Sequence, residues 1–284
     1  MASTTWRRAL GGPNPKEGRS DRVLPVTRWV AAFIIPWLAA AFVVLYGVPD
    51  QTTRYFAWTI RPEMTPIIMG AGYGAGVYFF YRVYRADAWH AVAPVFLGIT
   101  AFTWLMAAAT ALHWGNFNHG HYTFALWVFL YALTPLLVPA IWLLNGRTGA
   151  EGVADGVVEV PRLVRVAGGT LGVAVTLGGI AYFVRPGLMI EVWPWGVSPL
   201  TARILAGWFT LFGVVNVAVA LDSRWSGARV LVQSQIIGFG LVLVGALRVW
   251  DDFDTENVLT WVVVGGMAIY LLAIVVLYLV MESR

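Results

Sequence analysis

Residues 257–281 read NVLTWVVVGGMAIYLLAIVVLYLVM, with no acidic or basic side chain among them. About 20 apolar residues in a helix span the hydrocarbon of a bilayer, so this stretch is long enough to cross with some tilt. In lipid the backbone has no water to bond, which leaves a helix or a closed barrel. The two-residue alternation of a barrel strand is missing, so the stretch reads as a helix.

The same reading extends outward. Apolar segments near 28–48, 63–83, 91–113, 122–144, 163–184, 199–221 and 228–249 precede it, which makes eight expected crossings. The chain of 284 residues is 59% hydrophobic and 12% charged, with a mean hydropathy of +0.70. A soluble domain carries about 25% charged residues, so the polar surface of a soluble protein of this size is absent. The expected class is an all-α polytopic membrane protein, with the lipid bilayer as its first partner, other membrane subunits as candidate partners, and no nucleic acid.

There is no cysteine, which excludes disulfides, iron–sulfur clusters and thiolate metal sites. The single lysine, Lys16, lies outside the apolar segments, so a lysine Schiff base within the membrane is excluded too. Preference for arginine over lysine, with much Ala, Gly and Val, fits a GC-rich bacterial genome. Residues 1–24 form a polar leader with no apolar stretch before residue 29, and are expected to be cytoplasmic and uncleaved. Of the 19 basic residues, all but Arg54, Arg61, Arg185, Arg203 and Arg248 fall on one side of an eight-span layout. The positive-inside bias then puts both termini in the cytoplasm of a cell (plasma) membrane. Trp58, Trp114, Trp193, Trp195 and Trp250 collect on the opposite, outer side, as an aromatic belt does.

Landmarks recur at an offset of 136 or 137 residues. Pro25 matches Pro161, Pro49 matches Pro186, and WTIRP (58–62) matches WGVSP (195–199). DAWH (87–90) matches SRWS (223–226), and WGNF at Trp114 matches WDDF at Trp250. The expectation is two four-helix membrane units, 25–145 and 161–284, joined by a cytoplasmic linker at 146–160. Four crossings per unit is an even number, so the repeats are parallel rather than inverted.

Parallel units place two polar outer loops on one side. HWGNFNHGHY (113–122) offers His113, His119 and His121; RVWDDFDTEN (248–257) offers Asp251, Asp252, Asp254 and Glu256. Imidazole with carboxylate suits a divalent metal or a proton site, with His113, His119, His121 and Asp254 as candidate ligands. Helix capping and solvation account for the same residues and are the stronger reading. Haem does not fit, because no histidine lies mid-span. Arg203 stands about one turn inside the sixth segment and needs an acceptor at membrane depth. Arg203, Arg248, Asp251, Asp252 and His113 are the candidate ligand-binding set, with Asp251 or Asp252 expected to pair with an arginine. Asn216, Arg229, Gln233 and Gln235 are further polar residues within apolar segments, and the two glutamines fall on different helix faces. GAGYGAG (70–76) lies within an apolar segment and follows no strand, so it is a close-packing stripe and not a phosphate loop. No hydrolase, zincin or kinase signature is present, which argues against an enzyme of those classes.

Through FAWTIRPEMTP, LHWGNFNHGHYTF and WPWGVSPLTARILAGWF, the chain from about residue 23 onward resembles a group of uncharacterised bacterial multi-pass membrane proteins. TARILAGWFTLFGVVNVAVALDSRWSGARV is similar to DoxX-type four-helix membrane proteins over one half. Neither resemblance implies an activity. Three functional classes follow: handling of a ligand or small solute at an outer vestibule, including transport; a structural or assembly subunit; and a membrane metal or redox enzyme.

Overall fold

The computed structural model describes residues 21–146 and 158–284. Most of the expected leader and linker lies outside the described residues. Eight long helices follow in order: α1 (Pro25–Phe42, carried on by a π-turn over Val43–Gly47), α2 (Met64–Arg85), α3 (Ala93–Leu112), α4 (Tyr122–Gly146), α5 (Arg162–Val184), α6 (Pro199–Ala220), α7 (Trp225–Arg248) and α8 (Val258–Glu282). The starts are locally encoded. Proline stands in the first turn of α1, α3 and α6, where its missing N–H costs nothing. Ser198 caps α6 through the Thr201 N–H, and Asn257 caps α8 through the Leu259 N–H. Pro36 in α1 and Pro135 and Pro139 in α4 are internal, as membrane helices tolerate.

Seven of these helices are long and apolar enough to cross a membrane. Their outward faces carry large apolar side chains, among them Trp29, Leu163, Leu247, Val258 and Ile269. A soluble protein does not display so much apolar surface. The chain is a helical, multi-pass membrane protein in contact with lipid. The expected crossing at 63–83 is the exception: by composition α2 is not among the seven. Gly70, Gly72, Gly74 and Gly76, together with Tyr73, Tyr78, Tyr81, Tyr84, Arg82 and Arg85, dilute its apolar residues. The reason is positional. Much of α2 is buried between α1 and α7, and a helix shielded from lipid need not be oily all round.

Packing pairs α1 with α2, α3 with α4, α5 with α6 and α7 with α8, and then joins α2 to α7 and α3 to α6. The helices of the two halves thus interleave, with α2, α3, α6 and α7 inside and the other four outside. Small residues permit the close approaches. A Cβ on Gly213 of α6 would stand 2.6 Å from the Gly172 carbonyl and from the Thr176 nitrogen of α5. At Gly179 of α5 it would stand 2.9 Å from the Ala206 carbonyl of α6. These obstacles are backbone, so no rotamer change relieves them. Gly213→Ala is therefore expected to destabilise the protein by about 1–3 kcal/mol through overpacking. Gly266→Ala on the open face of α8 is expected to be neutral or slightly stabilising. Thermal unfolding of both variants in detergent measures this, and equal melting temperatures would contradict the packing argument.

Candidate functional site

The α3–α4 turn ties back to the α1–α2 loop through Asn118 N–H to the Ala57 carbonyl, 2.8 Å. The α7–α8 turn ties to the α5–α6 loop through Asp254 N–H to the Pro194 carbonyl, also 2.8 Å. Arg203, half-buried on the first turns of α6, reaches sideways in two directions. Its Nε donates to the Phe183 carbonyl at the end of α5, 3.0 Å. Its Nη1 meets His113 Nε2 just beyond α3, 2.7 Å.

This contact determines the state of His113. A guanidinium only donates, so His113 Nε2 must be the acceptor and the ring must be neutral. Burial pushes the imidazole below its ordinary value, the Arg203 charge pushes it further the same way, and a hydrogen bond with Asn116 opposes them. Arg203 therefore has a neutral ring and a carbonyl as partners. No ion pair joins it to Asp251 or Asp252 among the described residues.

The acidic loop is engaged elsewhere. Asp252 Oδ2 accepts the Met64 N–H at 2.7 Å and so caps α2 from a distant part of the chain. Asp254 Oδ1 accepts the N–H groups of Glu256 and Asn257 at 3.0 and 3.3 Å, which fixes the turn into α8. Asp251 is exposed. His119 Nε2 bonds the Trp114 carbonyl at 2.9 Å, and His121 Nδ1 meets the Thr123 hydroxyl at 2.6 Å at the start of α4. Among the described residues no three His, Cys, Asp or Glu side chains converge as a metal site would require. Nor does any hydrogen bond join residues 113–121 to 249–257. Arg248 donates to the Tyr46 carbonyl at 2.8 Å, with its guanidinium carbon 5.5 Å from the centre of the Tyr46 ring. Arg203 and Arg248 thus both use a carbonyl near the C-terminal end of a peripheral helix, where intrahelical partners run out.

Polar residues at membrane depth form separate groups. Gln233 bonds Tyr278 Oη at 3.0 Å and accepts from Tyr78 at 2.8 Å and from Arg82. Gln235 accepts from Tyr270 at 2.8 Å, and the same hydroxyl lies 3.3 Å from Asn216 Oδ1. Both glutamines thus bond a tyrosine of α8, and Gln233 also reaches Tyr78 and Arg82 of α2. Two contacts were not foreseen from sequence. Buried Tyr73 and Tyr131 share a hydroxyl hydrogen bond of 3.0 Å, and His90 pairs with Asp21 while its Nε2 lies 3.0 Å from Ser226 Oγ. Each joins residues far apart in sequence, with no local motif to announce the meeting.

No family model, curated protein or solved structure matches this chain.

The His113 ring contributes to stability in its neutral form. That contribution is whole above its unfolded value of 6.5, where both states are neutral, and is lost as pH falls through the lower folded value. Acidification from about pH 7.5 to about pH 5 is expected to lower the melting temperature of the wild type more than that of His113→Gln. Parallel losses in the two proteins would remove His113 from the account.

Proposed function

We propose that the protein handles an anionic ligand or small solute at the outer rim of a bacterial plasma membrane, with Arg203 as the receiving cation. The observation that carries this reading is a half-buried guanidinium at the outer end of α6 whose partners, a carbonyl and a neutral imidazole, leave its charge uncompensated. Burying a cation without a counter-charge is costly unless something anionic completes the site. A second reading, a structural or assembly subunit, draws support from the wholly apolar recess bounded by Met64, Ile68, Trp195, Val242, Phe253 and Met267.

The reading includes eight crossings, with α2 as the eighth. What supports it is the antiparallel packing of α2 along α1. Cβ atoms built on Gly70, Gly74 and Gly76 would meet Tyr46, Phe42 and Leu38 in turn, while Arg28 reaches the Tyr84 and Ala86 carbonyls. α2 then shares the depth of α1, and both termini are cytoplasmic.

It also includes two parallel units related by a two-fold axis along the membrane normal. Support comes from contacts that recur at the sequence offset. The bridge between Arg22 and Ala88 has its counterpart between Glu159 and Arg224. Val23 N–H to the Asp87 carbonyl corresponds to Val160 N–H to the Ser223 carbonyl. The ties Asn118 to Ala57 and Asp254 to Pro194 correspond likewise. His90 and Ser226 are equivalent positions, 136 residues apart, and they touch. Equivalent residues meet only at a symmetry axis, and an inverted relation would carry these two, near one end of their helices, to opposite faces.

Two measurements test this reading. A cysteine introduced at Asn118 should be labelled from outside while tags at both termini stay protected; an externally accessible C-terminus contradicts eight crossings. Inorganic phosphate at saturating concentration should raise the melting temperature of the wild type by ligand linkage, and the rise should vanish in Arg203→Gln. Equal shifts in the two proteins would leave the structural reading in its place.

A further inference from the structure

α3 and α5 both pack on α6 and make little contact with each other. Between them runs a lipid-facing furrow whose floor is α6. Contact faces and the helical repeat fix its walls. α3 turns Phe102 and Met106 toward α6 and Thr110 toward Trp127 of α4. Leu105, Ala108 and Leu112 therefore border the furrow. α5 meets α6 through Gly172 and Gly179, which leaves Val173, Ile180 and Val184 along the other wall, all exposed. The walls are apolar throughout. Arg203 closes the outer end, bonded to both sides: the Phe183 carbonyl on α5 and His113 beyond α3.

Resting on the outer-rim reading, we propose that this furrow holds a lipid with an anionic phosphate head, its phosphate on Arg203 and an acyl chain between α3 and α5. Charge and depth select that occupant. An arginine at the outer end of a membrane helix lies near the level of lipid headgroups, and its fork matches phosphate oxygens. Nε and Nη1 are engaged, and no described residue accepts from Nη2. The polar groups that meet here are Arg203, His113, Asn116 and the Phe183 carbonyl. None is a carboxylate that could receive the ammonium of a zwitterionic head, so a net-negative head is favoured. The furrow between α1 and α7 contrasts with this one. There Tyr46 reaches across, bonding the Leu241 carbonyl through its hydroxyl at 2.9 Å, and Arg248 lies against its ring. Beside Arg203 the equivalent position is Phe183, half-buried against the core and without a hydroxyl to bond across to α3.

Native mass spectrometry of the full-length protein in mild detergent, with phosphatidylglycerol or phosphatidylcholine added, tests the proposal. The wild type should retain phosphatidylglycerol about tenfold more strongly than Arg203→Gln, the scale of losing a charge-assisted pair. Arg248→Gln should retain it as the wild type does. Ala108→Trp, which fills the furrow without touching the cation, should also lose the lipid and still respond to inorganic phosphate; it carries the test if Arg203→Gln does not fold. Equal retention by wild type and Arg203→Gln, undiminished retention by Ala108→Trp, or equal retention of both lipids by the wild type overturns the proposal. A phosphate-dependent rise in melting temperature without lipid retention rejects the lipid and keeps the outer-rim reading, whereas absence of both rejects both.

Discussion

Helices in lipid gain little from hydrophobic attraction to one another, because the surrounding chains are as apolar as leucine. Close approach of backbones must supply the contact energy, and the rest of this structure depends on that constraint. α5 and α6 meet it most fully, with Gly172, Gly179 and Gly213 leaving no room for a Cβ between the two backbones. α6 also receives α3, with Gly98 against Leu211 and Val215, and Gly207 against Met106. Fixing α6 between α3 and α5 in this way puts Arg203 between the ends of both neighbours. The same contacts set α3 and α5 on different flanks of α6.

Polar groups follow the packing. The peripheral helices α1 and α5 run out of intrahelical partners for their last carbonyls, and two arginines from other helices take up that acceptor capacity at Phe183 and Tyr46. The carboxylates do a different job. Asp252 and Asp254 accept backbone N–H groups at the starts of α2 and α8, where the helix dipole favours negative charge. Toward the other face, ion pairs join Arg224 with Asp222 and Arg229 with Glu282. Burial raises the Asp222 carboxyl, but the hydrogen bonds and charge of Arg224 outweigh it and hold the group below its ordinary value. The interior between these layers is chiefly aromatic and aliphatic, with isolated hydrogen-bonded groups such as Tyr73 with Tyr131.

Much of the local architecture was legible in the sequence. Hydropathy located every long helix to within a few residues. The loop histidines were readable as turn and capping residues, and His119 and His121 are engaged within their own turn. Arg203 was recognisable as a charge at membrane depth in need of an acceptor. The acceptor itself was not legible: an aspartate was expected, and a neutral histidine 90 positions away takes the role. Nor was the burial of α2, whose glycines and tyrosines lower its apolarity because its surroundings are protein and not lipid.

The sequence by itself determined the solvent in which this protein folds, the helical form of its backbone and the places where each helix begins, since these depend on the character of neighbouring residues. Only the tertiary structure decided which helices touch, which carbonyl and which ring receive Arg203, and which flanks of α6 carry α3 and α5. Those outcomes depend on side-chain volume and helix faces meeting across many tens of residues, and no local pattern encodes which face meets which.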